Sequence, residues 1–273
     1  MKKIDEDKLK QKAVLIRRKV LGMIVDAKAS HIGSAYSSVD LLVYLYEHFL
    51  NISVASSRWD KRDRFILSKG WGVSALYAVL ADKGILSPEK LSEYCKNGSK
   101  LVGTSTRNGT TGIEATTGSM GHGLPIGVGM ALAAKLKNQK HRVVVLMSDG
   151  ECNEGSIWEA ALQAGHHKLD NIVVLIDHNK WQSFGRTQDI LNLESLNKKW
   201  ESFNWGVVEI DGHNFSSIEK GFSKVPYVRN KPTVIIANTI KGKGVSVFED
   251  RNEWHYKTPG EGDIAIALEE LHI

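Results

Sequence analysis

Asp149-Gly150 follows one short apolar run, RVVVLM (142–147), and Asn179 follows another, NIVVLI (171–176), with twenty-eight residues between Gly150 and Asn179. A carboxylate, a carboxamide oxygen and a neighbouring backbone carbonyl make a hard, oxygen-only donor set. Mg²⁺ suits such a set and completes its octahedron with phosphate oxygens and water; Ca²⁺ and Mn²⁺ accept the same donors. Taken one at a time, Asp-Gly is an ordinary turn and Asn an ordinary strand-end residue. Only their pairing points to a bound anionic ligand.

The elements around them explain the pairing. Both runs are β-branched and almost free of polar residues, as in strands buried on both faces of a parallel sheet. Between them SIWEAALQAGHHKL (156–169) has apolar residues at helical spacing. A right-handed crossover places the carboxyl ends of such strands on one sheet edge, where open α/β sheets bind ligands. Further strands are expected at 64–70, 205–211 and 232–239. Helices are expected at 7–29, 37–51 with a Ser N-cap, 73–84, 87–98 with Ser87 as N-cap and Pro88 at the first position, 128–139, 214–225 and 263–272. The polar stretch 100–127 contains seven glycines and is too long for a plain connection, so it is expected to line a site. The alternation predicts one α/β domain over 1–273: a doubly wound, mostly parallel sheet with helices on both faces.

Composition excludes several classes. An apolar fraction of 42% with 25% charged residues is that of an ordinary globular protein, and no apolar run is long enough for a bilayer. The N-terminus lacks the apolar core of a secretory signal. Cys95 and Cys152 form no CxxC pair, which fits a reducing cytoplasm and excludes a cysteine zinc site. The net charge of +5 is scattered rather than clustered, which argues against nucleic acid and suits a small anionic ligand. GVGMAL (127–132) lacks both a preceding strand and the sixth-position Gly or Ala of a dinucleotide fingerprint.

Asp-Gly, twenty-eight residues and Asn, each after a buried strand, resembles the thiamine diphosphate motif. SDGECNEGSIWEAA and HHKLDNIVVLIDHN resemble its transketolase branch, although Ser148 stands where the motif usually begins with Gly. The resemblance implies that Asp149, Asn179 and the Trp181 carbonyl hold Mg²⁺ and that Gly150 contacts the diphosphate. TTGSMGHGLPIG is similar to the segment lying against the cofactor, which implies contacts from Gly118, Met120, Gly121 and His122. ASHIGSAYSSVDLL resembles the family segment that brings a histidine to the substrate, which implies that role for His31 and a cofactor contact for Ser34. The resemblance of LSKG likewise implies that Lys69 lies beside the diphosphate. TIKGKGVSVFEDRNEWHYK resembles the family's late loop, which implies functional positions for Lys241, His255 and Lys257. Glu154 matches a glutamate at the dimer contact that links two sites, or else simply caps a helix start. Thiamine enzymes work through a thiazolium carbanion, and the protein's task is to move hydroxyl protons beside it.

Two positions depart from the family. Trp71 stands in LSKGWG where the family has SKGHA, and Thr104 stands in VGTSTRN where it has Gly-His-Pro. Neither side chain exchanges a proton near neutral pH, which implies a non-standard sugar substrate. The resemblance also covers only the diphosphate-binding part of a single-chain transketolase. It therefore implies a separate C-terminal partner bearing the pyrimidine pocket, in an α₂β₂ heterotetramer that moves a two-carbon ketol or acyl unit onto an aldehyde or sugar. A thiamine-dependent 2-oxo acid decarboxylase or lyase subunit and a catalytically silent pairing subunit remain alternatives.

Overall fold

The computed structural model describes residues 4–52 and 61–272. The chain opens with α1 (Glu6–Asp26), capped by Asp5, whose carboxylate accepts the Lys8 N–H at 3.2 Å. Instead of one helix over 37–51, the chain re-enters helix at α2 (Ile32–Ser37). It continues through α3 (Val39–Tyr44) and a π-helical turn over Leu45–Phe49. No Ser cap starts this run. His31, in the left-handed conformation with φ 70°, precedes it, and the Ser37 hydroxyl donates instead to Asp177 at 2.6 Å.

Strand β1 (Arg64–Leu67) is shorter than its apolar signal, because Ser68–Gly70 turns out of the sheet. It leads to α4 (Val73–Asp82). The Pro88 segment is a 3₁₀ turn over Pro88–Glu93, not an α-helix; the Ser87 hydroxyl bonds the Glu89 carboxylate and caps nothing. After the glycine-rich stretch come α5 (Gly123–Leu136), β2 (Val143–Ser148), α6 (Gly155–His166) and β3 (Ile172–His178). A short turn α7 (Thr187–Ile190) and α8 (Leu196–Ser202) follow. The chain ends with β4 (Gly206–Asp211), α9 (Phe215–Phe222), β5 (Thr233–Asn238) and α10 (Glu261–Glu270).

The five strands lie in the order β1-β2-β3-β5-β4, and every pairing is parallel. Strand periodicity divides the core into two faces. Val144, Leu146, Val173, Leu175 and Ile235 pack with α1, α3, α4 and α9, whereas Val143, Val145, Met147, Val174 and Ile236 pack with α5, α6 and α8. Alternate side chains of one strand thus feed opposite helix layers, which is why the runs are continuously apolar. Each fully buried Val or Leu contributes roughly 1.5–3 kcal/mol. Ser148 pairs with Asp177 at the β2–β3 carboxyl end, so Asp149 and Asn179 leave the sheet beside each other. Among the described residues no helix is long and apolar enough to cross a membrane.

Candidate active site at the carboxyl edge of the sheet

The β2 and β3 ends meet in the Asp149 carboxylate, which is wholly buried. It accepts the Gly150 N–H, the Lys180 N–H and the Thr187 hydroxyl, each at 3.0 Å. Burial pushes its carboxyl up to about 6, opposed in part by His178. The Asn179 side-chain oxygen accepts the Trp181 N–H at 3.0 Å, and its amide donates to Asp177 at 3.4 Å. Trp181 and Arg186 pair across a tight loop that the Asp250 carboxylate closes, taking both the Trp181 indole N–H and the Arg186 guanidinium.

Asp177 is the hub that sequence reading missed. The Lys69 ammonium and the hydroxyls of Ser37 and Thr239 converge on its buried carboxylate. Burial alone would raise this carboxyl, but the Lys69 charge and the two hydroxyls hold it below the usual range. Glu151, also missed and also wholly buried, accepts from the Ser68 hydroxyl, the Ser148 N–H and the Gly121 N–H, so it ties the β1 and β2 ends to the glycine-rich stretch. A carboxylate between the liganding Asp-Gly and the next helix was the only signal for it.

These ends floor a cavity of about 380 Å³. His31, Ser34, Lys69 and Trp71 line it from one side; Met120, Gly150 and Glu154 from a second; and Asn179, Trp181, Lys241 and His255 complete it. The His31 ring stacks on Trp71 at 4.7 Å and meets His255 edge-on at 5.1 Å. The His31 N–H donates to the His255 carbonyl at 3.2 Å, and its Nδ1 lies 2.7 Å from the Ser30 hydroxyl. Burial, reinforced by Lys241, lowers His31 to about 4 and His255 to about 3, so both imidazoles are neutral near pH 7. Lys241 is almost fully buried, which lowers its amine to about 8.

Other residues named from the sequence stand further back. Gly118 does not line the cavity; its carbonyl accepts the Trp71 indole N–H at 3.0 Å. A side chain on Gly70 would strike Thr117 and Gly118 backbone at 2.7 Å, which shows how closely the glycine-rich stretch approaches the β1 end. Gly121, with φ 79°, packs on Glu154 and Ser156. His122 is exposed outside the cavity lining, and its Nδ1 donates to the Met120 carbonyl at 3.0 Å. Lys257 also lies outside, pairing with Asp263 at 3.6 Å over the Trp254 ring. Glu154 occupies the N-cap position of α6, yet its side chain makes no capping hydrogen bond and lines the cavity.

The donor set suits a hydrated divalent cation carrying a diphosphate. Asp149 is a buried carboxylate whose ionisation burial disfavours, a cost that a cation would remove. Asn153 Oδ1 and Gln182 Nε2, on two residues lining the cavity, are buried without a hydrogen-bond partner among the described residues. Gly150 presents bare backbone on the same wall.

Residues 9–272 match the family described as transketolase, thiamine diphosphate binding domain. The chain is 42% identical over 266 residues to one of the subunits of the apulose-4-phosphate transketolase of Actinobacillus succinogenes, covering 97% of this chain and 96% of that one. It is 40% identical over 263 residues to the 6-deoxy-6-sulfo-D-fructose transketolase subunit SqwG of a Clostridium strain, covering 96% of each. The transketolase structure from Campylobacter jejuni superposes with a TM-score of 0.92 at 30% identity, covering 98% of this chain and 43% of that one. The chain thus spans nearly the full length of both single-subunit relatives and less than half of this solved transketolase. It belongs to the transketolase family, with that family's thiamine diphosphate-binding domain over residues 9–272.

Proposed function

We propose that the chain, as one domain over 1–273, is the diphosphate-binding half of a two-subunit transketolase that moves a two-carbon ketol unit from a ketose to an aldehyde. The observation that carries this reading is the meeting of Asp149 and Asn179, on adjacent parallel strands, with His31, His255 and Lys241 around one cavity. Asp149, Asn179 and the Trp181 carbonyl would hold Mg²⁺. Ser34, Lys69, Met120, Gly150, Asn179, Lys241 and His255, which line the cavity, would face thiamine diphosphate, whereas Gly118, Gly121 and His122 lie outside its lining. When bound, that cofactor supplies the electron sink for breaking and making the carbon–carbon bond.

The chain's own residues handle protons. Neutral imidazoles at His31 and His255 accept a hydroxyl proton and return it, and Lys241 holds the anionic end of the site in register. Lys69, whose ammonium rests on Asp177, acts mainly by holding the β3 end against α2. Glu154 is exposed at the cavity edge, which supports a contact there with a second copy of the chain.

The substrate is read as a small sugar with an anionic group, since the relatives' names specify a sugar phosphate and a sulfo-sugar. Trp71 and Thr104 support a non-standard sugar. The Trp71 indole N–H is already engaged by the Gly118 carbonyl, and the Thr104 hydroxyl, 3.3 Å from that of Thr106, lies outside the cavity lining. The partner is a chain bearing the pyrimidine-binding half, in an α₂β₂ heterotetramer in the cytoplasm. The test is reconstitution: the isolated chain should be nearly inactive and bind cofactor weakly, and turnover should appear with the partner. Full turnover by this chain alone overturns the two-subunit reading. Efficient use of xylulose 5-phosphate alone, among donors compared on the complex, overturns the non-standard substrate.

A further inference from the structure

Lys241 poses a physical problem. Its side chain is buried, its neighbours are the His255 ring at 3.1 Å and the Asn252 oxygen at 3.4 Å, and the Asp149 and Asp177 carboxylates, neither paired with it, offset its desolvation only in part. A desolvated ammonium gains by moving toward water, so its place at the cavity has to be imposed by its backbone. The flanking segment is held at several points. The Thr239 hydroxyl donates to Asp177, the Gly242 N–H donates to the Gly33 carbonyl at 2.9 Å, and the Lys241 carbonyl accepts from the Asp250 N–H at 2.8 Å. Between them the Ile240 N–H donates at 2.8 Å to a side chain far away in sequence, Nε2 of His213.

We infer that His213 is a positioning residue that holds Lys241 at the cavity through the backbone N–H of Ile240. The hydrogen-bond chain sets its tautomer. Nδ1 lies 2.7 Å from an Asp40 carboxylate oxygen, an acceptor, so Nδ1 carries the hydrogen. Nε2 receives a backbone N–H and therefore presents a lone pair. Asp40 is held in turn by the buried Arg17 guanidinium at 2.7 and 3.1 Å. The series Arg17, Asp40, His213, Ile240 thus runs from α1 and α3 through the loop after β4 to the site. Both ring nitrogens are engaged within the protein, and His213 does not line the active-site cavity, so it is neither acid nor base in the reaction. A misplaced amine is costly in a preorganised site, where displacement by about 1 Å can lower the rate ~100-fold.

The decisive comparison is His213→Gln with His213→Asn. Glutamine can place its oxygen near the position of Nε2 and accept from Ile240; asparagine can serve Asp40 but is too short to reach Ile240. The first readout is carbamoylation of Lys241 by cyanate in the isolated, cofactor-free chain, followed by peptide mass spectrometry. The Gln variant should label within about threefold of wild type and the Asn variant at a rate altered about fivefold or more. The second readout is turnover of the assembled enzyme, where the Asn variant should lose about tenfold in kcat with little change in donor KM, and the Gln variant should recover most of it. Equal behaviour of the two variants in labelling, or an effect confined to melting temperature, overturns the inference. Should the Asn variant not fold, hydrogen exchange of the wild-type Ile240 amide decides: fast exchange overturns the inference and protection that persists in the Gln variant supports it. The turnover arm rests on the proposed function of the site. The labelling and exchange arms do not, so failure of either reading is seen separately.

Discussion

The Lys241 amine stands 3.1 Å from Nδ1 of His255, and its charge adds to burial in lowering the proton affinity of that imidazole. Burial is the larger cause for both, and although the Asp149 and Asp177 carboxylates offset part of it at Lys241, the pair remains a basic cluster held in a dry wall. This arrangement favours function over stability.

Lys241→Met should therefore stabilise the chain while impairing the enzyme. The folded amine has a value of about 8 against 10.5 when unfolded. Its penalty is complete below about 8 and fades as pH rises to 10.5, where the unfolded amine also becomes neutral. Denaturant titrations at neutral pH should show a gain of about 2 kcal/mol for the variant, shrinking toward pH 10.5. A loss of stability at neutral pH would contradict the buried-ammonium account.

Asp149→Asn tests the metal reading without an assay of turnover. In the wild-type enzyme assembled with its partner, Mg²⁺ with thiamine diphosphate should raise the melting temperature, and the rise should diminish as the pH falls through about 6, where Asp149 takes up a proton. The variant should show almost no Mg²⁺-dependent rise at any pH. An equal rise in both proteins would remove Asp149 from the metal site.

Arg17→Met leaves the Asp40 carboxylate buried without its guanidinium. A loss of roughly 3–5 kcal/mol is expected. Burial opposes ionisation of Asp40, but Arg17 and the bond from His213 hold its carboxyl at about 2, against 3.8 when unfolded. The stability it contributes is complete above 3.8 and lost as pH falls through about 2, so acid unfolding of the wild type should steepen in that window. Urea midpoints of the two proteins across pH supply the measurement.

The His31–Trp71 stack offers a spectroscopic check. Protonation of an imidazole against an indole face should quench its emission, and His31 titrates near 4. Subtracting the emission of a Trp71→Phe variant from that of wild type should leave a transition centred near that pH. A difference spectrum that is flat from about pH 3 to neutrality would show that His31 does not titrate against Trp71.

Much was legible in the chain itself. The β-branched runs before Asp149 and Asn179 carried strand identity, because residues buried on both sheet faces leave no polar alternation. Parallel crossover geometry then required the two ends to meet, and β2 and β3 do pair in that register. The helix at 156–169 and the strands at 205–211 and 232–239 were also readable, to within a few residues, from periodicity. What pattern could not reveal were bonds between residues far apart in sequence. Ser37 looked like a helix cap, yet its hydroxyl serves Asp177, and that contact decides where the second helical run sits. Lys69 looked free for an anionic ligand, yet its ammonium rests on the same carboxylate. His213 gave no sign of its link to Ile240. Local sequence determines which segments become strand or helix, through backbone preference and side-chain burial. Which buried carboxylate each lysine, serine or histidine finds was decided only when the sheet and its two helix layers closed, since a desolvated polar group bonds whatever partner the packing brings within reach.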